Sequence, residues 1–128
     1  MASPVVFIVD DDESVRRALE RLMRSAGFDV RVFASAEEFL DQGCHNTPGC
    51  LILDVRMPRM DGLELQEKLK AYGTHIPIVF ITAHYDVSTR EQAMNAGAVD
   101  FIQKPFNDEI ILKAVGSGLR LSEDMESN

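Results

Sequence analysis

The chain reads as an α/β fold: one five-stranded parallel sheet with helices on both faces. Three observations predict it. Five short apolar runs alternate with five amphipathic stretches along the 128 residues. Three of the runs are apolar almost throughout, as strands covered on both sides must be. Each intervening stretch carries a helical repeat, the pattern of βαβ crossovers.

The first run, Val5 to Val9, is unbroken. A helix follows, because Val15, Ala18, Leu19, Leu22, Met23 and Ala26 fall on one stripe before Gly27 closes it. Asp29-Val30-Arg31-Val32-Phe33 alternates polar and apolar, the mark of an edge strand with one wet face. Ser35, with Glu38 three residues on, opens a second helix as a capping box, and Phe39 and Leu40 form its apolar side. Cys50 to Leu53 is the next buried run. Leu63, Leu65, Leu69 and Tyr72 mark a third helix ended by Gly73. Ile78 to Ile81, a helix from Val87 to Ala96 closed by Gly97, the run Val99 to Ile102, and a last helix through Ile110, Ile111, Leu112, Val115 and Leu119 complete the series. Right-handed crossovers select the flavodoxin-like, doubly wound strand order 2-1-3-4-5. The length suits a single domain, expected over residues 1–121. Ser122 to Asn128 has three acids and no periodicity, and reads as a frayed tail or the start of a linker.

Composition narrows the function. The content of 45% hydrophobic and 27% charged residues is that of a folded globular domain. A net charge of −8 opposes binding to nucleic acid phosphates. No apolar run approaches the roughly 18 residues a membrane helix needs, and no basic leader precedes the first strand, so a cytoplasmic protein is expected. Cys44 and Cys50 are expected as reduced thiols; with His45 they lack the fourth ligand and spacing of a zinc site. Arg17, Arg21 and Arg24 stripe the outer face of the first helix, either as a solvated surface or as a docking face for a partner kinase.

The chemistry gathers at the strand ends. In sheets of this order, ligands bind outside the carboxyl ends of the strands where the order reverses. The first strand ends in Asp10-Asp11-Asp12, the third in Asp54, the fourth in Thr82, and the fifth runs out at Lys104. Carboxylates from neighbouring strands would converge, and at about 4 Å each pair repels by about 4 kcal/mol at an effective dielectric near 20. One acid must stay protonated, or a cation must enter. Oxygen-only ligands favour Mg²⁺ or Mn²⁺. Beside such a metal a carboxylate can attack a phosphoryl donor, a lysine can neutralise the transferred oxygens, and a threonine hydroxyl can bond one of them.

Ile8-Val9-Asp10-Asp11, the segment from Leu53-Asp54 through Val55-Arg56-Met57-Pro58-Arg59-Met60-Asp61-Gly62, Ile81-Thr82-Ala83, Ala96-Gly97-Ala98 and Lys104-Pro105-Phe106 together resemble the receiver domains of two-component response regulators. Ala98 to Ile102 before the lysine is similar to the FixJ type. The resemblance runs from Val6 to about Leu121. It implies that Asp54 is the phosphoryl acceptor, with metal held by Asp10, Asp11, Asp54 and the Arg56 backbone carbonyl. It further implies that Lys104 contacts the phosphoryl group and that Thr82 and Phe101 form a switch pair, the ring turning inward as the hydroxyl moves. The Lys104–Pro105 bond would be cis, and His84 would sit where phosphate lifetime is tuned. A histidine kinase would be the donor, an output domain or downstream regulator that controls transcription the recipient, and the fourth helix, fifth strand and fifth helix a homodimer face. Such a domain catalyses its own phosphoryl transfer and dephosphorylation but is primarily a signalling module. Asp12 would cap the first helix or add charge near the metal.

Two other functions fit part of the sequence. A small haloacid-dehalogenase-type phosphatase would use Asp10 as nucleophile within Asp10-Asp11-Asp12, but leaves the Asp54-to-Gly62 segment without a purpose. A phosphorylation-independent interaction module would need none of the filled acceptor, metal and lysine positions.

Overall fold

The computed structural model describes residues 4–43 and 47–126. The elements follow in strict alternation: β1 (Val5–Val9), α1 (Glu13–Ser25), β2 (Asp29–Phe33), α2 (Ala36–Asp41), β3 (Gly49–Asp54), α3 (Gly62–Ala71), β4 (Ile78–Thr82), α4 (Val87–Asn95), β5 (Asp100–Gln103) and α5 (Asp108–Glu126). The strands form one parallel sheet in the order β2-β1-β3-β4-β5. The predicted class and order are those observed.

Successive residues of a strand point to opposite faces, and the two halves of the core divide accordingly. Phe7, Val9, Leu51, Leu53 and Phe80 pack on one face with Phe39 of α2, Leu65 and Leu69 of α3, and Ala93 of α4. Val6, Ile8, Ile52, Val79 and Ile81 pack on the other with Leu19 and Met23 of α1 and Ile111, Val115 and Leu119 of α5. A central strand therefore needs apolar residues at every position, which is why β1, β3 and β4 show no alternation while β2, at the edge, leaves Asp29 and Arg31 exposed.

Helix starts are fixed by short polar side chains that satisfy free backbone N–H groups. Asp12 takes the Ser14 and Val15 N–H groups at the head of α1, so the third aspartate of the triplet is a cap. Ser35 takes Glu38 N–H, while Glu38 itself reaches the Ala34 N–H, one residue before the expected partner. Asp61 and Glu64 form a reciprocal capping box on α3, and Asp86 caps α4.

α4 is the helix least anchored by burial. Ala93 is its only fully buried residue, and Gln66, buried on α3, donates to the Ala93 carbonyl at 3.1 Å.

The segment expected as a frayed tail or linker start begins inside α5, which continues to Glu126. Ser122 turns inward, and its hydroxyl accepts the Gly49 N–H at 3.0 Å, capping the otherwise free start of β3. The first residue of the expected tail is thus a buried hydrogen-bond partner. The fifth strand begins at Asp100 rather than Val99, although Val99 N–H already bonds the Ile78 carbonyl. Cys50 is a free thiol deep in β3, its acidity suppressed by burial, which pushes its pKa up to about 12. Cys44 and His45 lie outside the described residues.

Candidate functional site

Register brings the acids together. Val9 pairs with Leu53 across β1 and β3, so the next residues, Asp10 and Asp54, leave the sheet side by side. The β1 end is held further by the Asp10 N–H, which donates to the Phe33 carbonyl at 3.2 Å. The loop after Asp54 returns at once to α3: Val55 N–H bonds the Ile81 carbonyl, and Gly62 N–H bonds the Val55 carbonyl at 2.8 Å. A Cβ at position 62 would collide with the Asp54 carbonyl oxygen and lie 3.1 Å from the Val55 Cα. Only glycine lets α3 begin this close to the strand end.

Carboxylate oxygens of Asp10, Asp11 and Asp54 all lie within 4.8 Å of one another. Asp10 is 0% and Asp54 5% exposed, whereas Asp11 faces solvent. Lys104 crosses from the far side of the hollow. Its Nζ lies 2.9 Å from Asp10 Oδ2 and 3.5 Å from Asp54 Oδ1. Burial of Lys104 opposes its charge, but the hydrogen bond to Asp10 and the charges of Asp10 and Asp54 prevail and raise its pKa. Burial likewise pushes Asp54 up from 3.8 to about 7; the charges of Asp10 and Asp11 add to the rise and Lys104 opposes it. One ammonium does not balance three carboxylates. Two charges 4.8 Å apart still repel by about 3.5 kcal/mol at an effective dielectric near 20. The donor set fits a small hard cation: oxygen ligands alone, two nearly enclosed and one open to solvent, with an acid at the centre whose charge is resisted without one.

Thr82 ends β4 and is 1% exposed. Its hydroxyl donates to the His84 carbonyl and accepts the His84 N–H, both at 3.1 Å, so in this structure it serves the β4–α4 turn. Phe101 is buried against Phe80, ring centroids 6.1 Å apart, and Tyr85 lies edge-on over it at 6.0 Å. The ring is thus already inside while Thr82 remains bonded to the loop. The inward place of Phe101 does not require that the hydroxyl has moved. The Lys104–Pro105 peptide is cis. Arg56, two residues after Asp54, is exposed, and its charge contributes to holding Asp86 below the usual aspartate range, after the dominant hydrogen bond from Thr89.

The structure therefore brings Asp10, Asp11, Asp54 and Lys104 into one hollow and keeps Thr82 and Phe101 on its β4–β5 side. Arg17, Arg21 and Arg24 are exposed on α1, with Arg17 paired to Glu13 and Arg24 to Glu20, each four residues apart. Sequence reasoning missed Arg16, whose Nη1 donates to the Asp10 carbonyl at 2.7 Å. Its only signal was a helix position beside the aspartate triplet. It also missed Glu37, which pairs with Arg59 at 3.3 Å and ties the β3–α3 loop to α2.

Comparison with known proteins gives a consistent picture. Residues 6–116 match the response regulator receiver domain family. The response regulator protein TodT of Pseudomonas putida is 48% identical over 124 residues, covering 97% of this chain and 55% of the relative. The transcriptional regulatory protein FixJ of Azorhizobium caulinodans is 43% identical over 119 residues, 93% of this chain and 56% of the relative. The chain spans about half the length of these curated relatives. Among solved structures, response regulator StyR superposes with a TM-score of 0.93 at 50% identity, covering 98% of this chain and 64% of that one. FixJ-N superposes with a TM-score of 0.86 at 42% identity, covering 94% and 96%. No described helix is long and apolar enough to cross a membrane.

Proposed function

The chain belongs to the response regulator receiver domain family, and on that premise we propose that Asp54 accepts a phosphoryl group from a histidine kinase and that the domain catalyses the transfer. The observation that supports this most directly is the setting of Asp54, a nearly enclosed carboxylate between a lysine and two further acids. An Asp54 oxygen attacks phosphorus; the phosphorus–nitrogen bond of the donor phosphohistidine breaks, and the imidazole leaves with the electron pair. Mg²⁺ or Mn²⁺, held by Asp10, Asp11, Asp54 and the Arg56 carbonyl, would supply positive charge to the phosphoryl oxygens.

The chain's own residues do the rest. Lys104 already spans Asp10 and Asp54, and a short movement of its flexible stem carries the ammonium to a phosphoryl oxygen. Thr82 can donate to that group only by giving up the His84 carbonyl, so its contact with the phosphoryl group loosens the β4–α4 turn. A phosphoryl group adds up to about two negative charges, and these contacts favour one of two surface arrangements over the other. Phe101 beneath Tyr85 joins that turn to β5, which supports α4, β5 and α5 as the responding and dimerising face. The output is transcriptional, as the names of the relatives suggest, and acts in the cytoplasm. The acidic domain itself does not contact nucleic acid. The phosphatase reading through Asp10 gives way, since it offers no part for the Asp54-to-Gly62 segment.

Incubation with Mg²⁺ and acetyl phosphate, borohydride reduction and peptide mapping tests the assignment. Label on Asp54 is expected. Label on Asp10, or none, sinks it.

A further inference from the structure

We propose that Arg16 is a positioning residue for metal binding, clamping the peptide that joins Asp10 to Asp11 so that both carboxylates face the same hollow. The inference rests on the metal-site reading above and adds to it a residue outside the ligand set.

Every other polar group of Asp10 is engaged. Its N–H donates to the Phe33 carbonyl. Oδ1 accepts the Asp12 N–H at 2.8 Å, and Oδ2 meets Lys104 at 2.9 Å. The remaining group is the main-chain carbonyl, and half-buried Arg16 donates to it at 2.7 Å from the first turn of α1. That carbonyl is rigidly coplanar with the N–H of Asp11. Fixing its direction therefore fixes the plane from which the Asp11 side chain departs. Asp11 needs such help, because its side chain is exposed rather than held in the core. The clamp is also anchored at its base: Asp12 caps the same helix turn that carries Arg16.

Two further points separate this from a general charge effect. The contact is short and made by a charged donor, the stronger kind of hydrogen bond. It is also directed at a backbone atom rather than at a carboxylate, so Arg16 does not compete with a cation for any of the three acids. Arg17, one residue on, carries the same charge but turns outward to Glu13. It is a built-in control.

The test uses the 128-residue chain and Mg²⁺ alone, with affinity read from backbone amide shifts. Arg16→Met keeps the aliphatic stem and removes the donor. Its Mg²⁺ dissociation constant should rise about tenfold, as for other groups that orient metal ligands. Arg17→Met should match the wild type, and phosphorylation of Arg16→Met by acetyl phosphate should recover at saturating Mg²⁺. Unchanged Mg²⁺ affinity in a folded Arg16→Met overturns the proposal, and so does equal weakening by Arg17→Met, which would reduce the effect to net charge. If Arg16→Met does not fold, Arg16→Lys takes its place: a shorter, single-pointed donor should weaken binding, and wild-type affinity overturns the inference. A wild-type chain that fails to bind Mg²⁺ instead sinks the metal site itself.

Discussion

Replacing Asp54 by asparagine should make the metal-free protein more stable above about pH 4, with the full gain reached at neutral and alkaline pH. The native environment raises the Asp54 pKa from 3.8 to about 7, burial first and the Asp10 charge second. Between those values the folded protein holds a proton that the unfolded chain has released. Stability is therefore highest with respect to this group below pH 3.8 and falls as the pH climbs to about 7, after which the full penalty is present. The gap corresponds to about 4 kcal/mol as a ceiling. Lys104, which loses one partner on substitution, and relaxation around a charged Asp54 take back part of it, leaving an expected gain of about 2 kcal/mol, or about 5 to 10 °C in Tm. The assay is thermal and urea unfolding followed by circular dichroism, in EDTA, from pH 4 to pH 8. At pH 4 wild type and Asp54→Asn should coincide. Adding Mg²⁺ at pH 8 should shrink the difference, because the wild type alone gains the full binding energy. A difference that does not vary with pH, or a variant destabilised at pH 8, would refute the electrostatic account of the hollow.

Other substitutions probe the framework around it. Lys104→Met removes the cation that Asp10 and Asp54 share and should cost about 3 kcal/mol at pH 8 without metal, besides abolishing phosphorylation; unfolding curves and acetyl phosphate labelling measure the two effects. Gly62→Ala places a methyl group against the Asp54 carbonyl and should destabilise by about 1 to 3 kcal/mol, with slowed labelling of Asp54 as the strand end is displaced. Ser122→Ala strands the buried Gly49 N–H and should cost about 1 to 3 kcal/mol while leaving Mg²⁺ affinity unchanged, as calorimetry and titration would report.

What was legible in the sequence follows from what is local. The unbroken Val5–Val9 run and the alternating Asp29–Phe33 run differ because one strand is covered twice and the other once, and that difference is written in the residues themselves. The acids at strand ends were likewise readable, since parallel order fixes which ends meet. Features missed depend on contacts distant in sequence or on backbone atoms. Ser122 reaches a strand 73 residues away. Arg16 bonds a carbonyl, a group every residue possesses, so no side-chain pattern announces it. The resting place of Phe101 depends on Tyr85 folding over it, and neither aromatic carries a periodic signal.

The weak seating of α4 has a mechanical consequence. With Ala93 as its one wholly buried residue, Met94 partly buried beside it and an amide hydrogen bond from Gln66, the helix is moored near its end rather than glued along its length. Freeing a moored segment takes little work, so if the Thr82 hydroxyl leaves the adjoining turn as proposed, its modest pull need not disturb the sheet in order to swing the helix. The domain can thus be stiff where chemistry requires alignment and pliant one turn away.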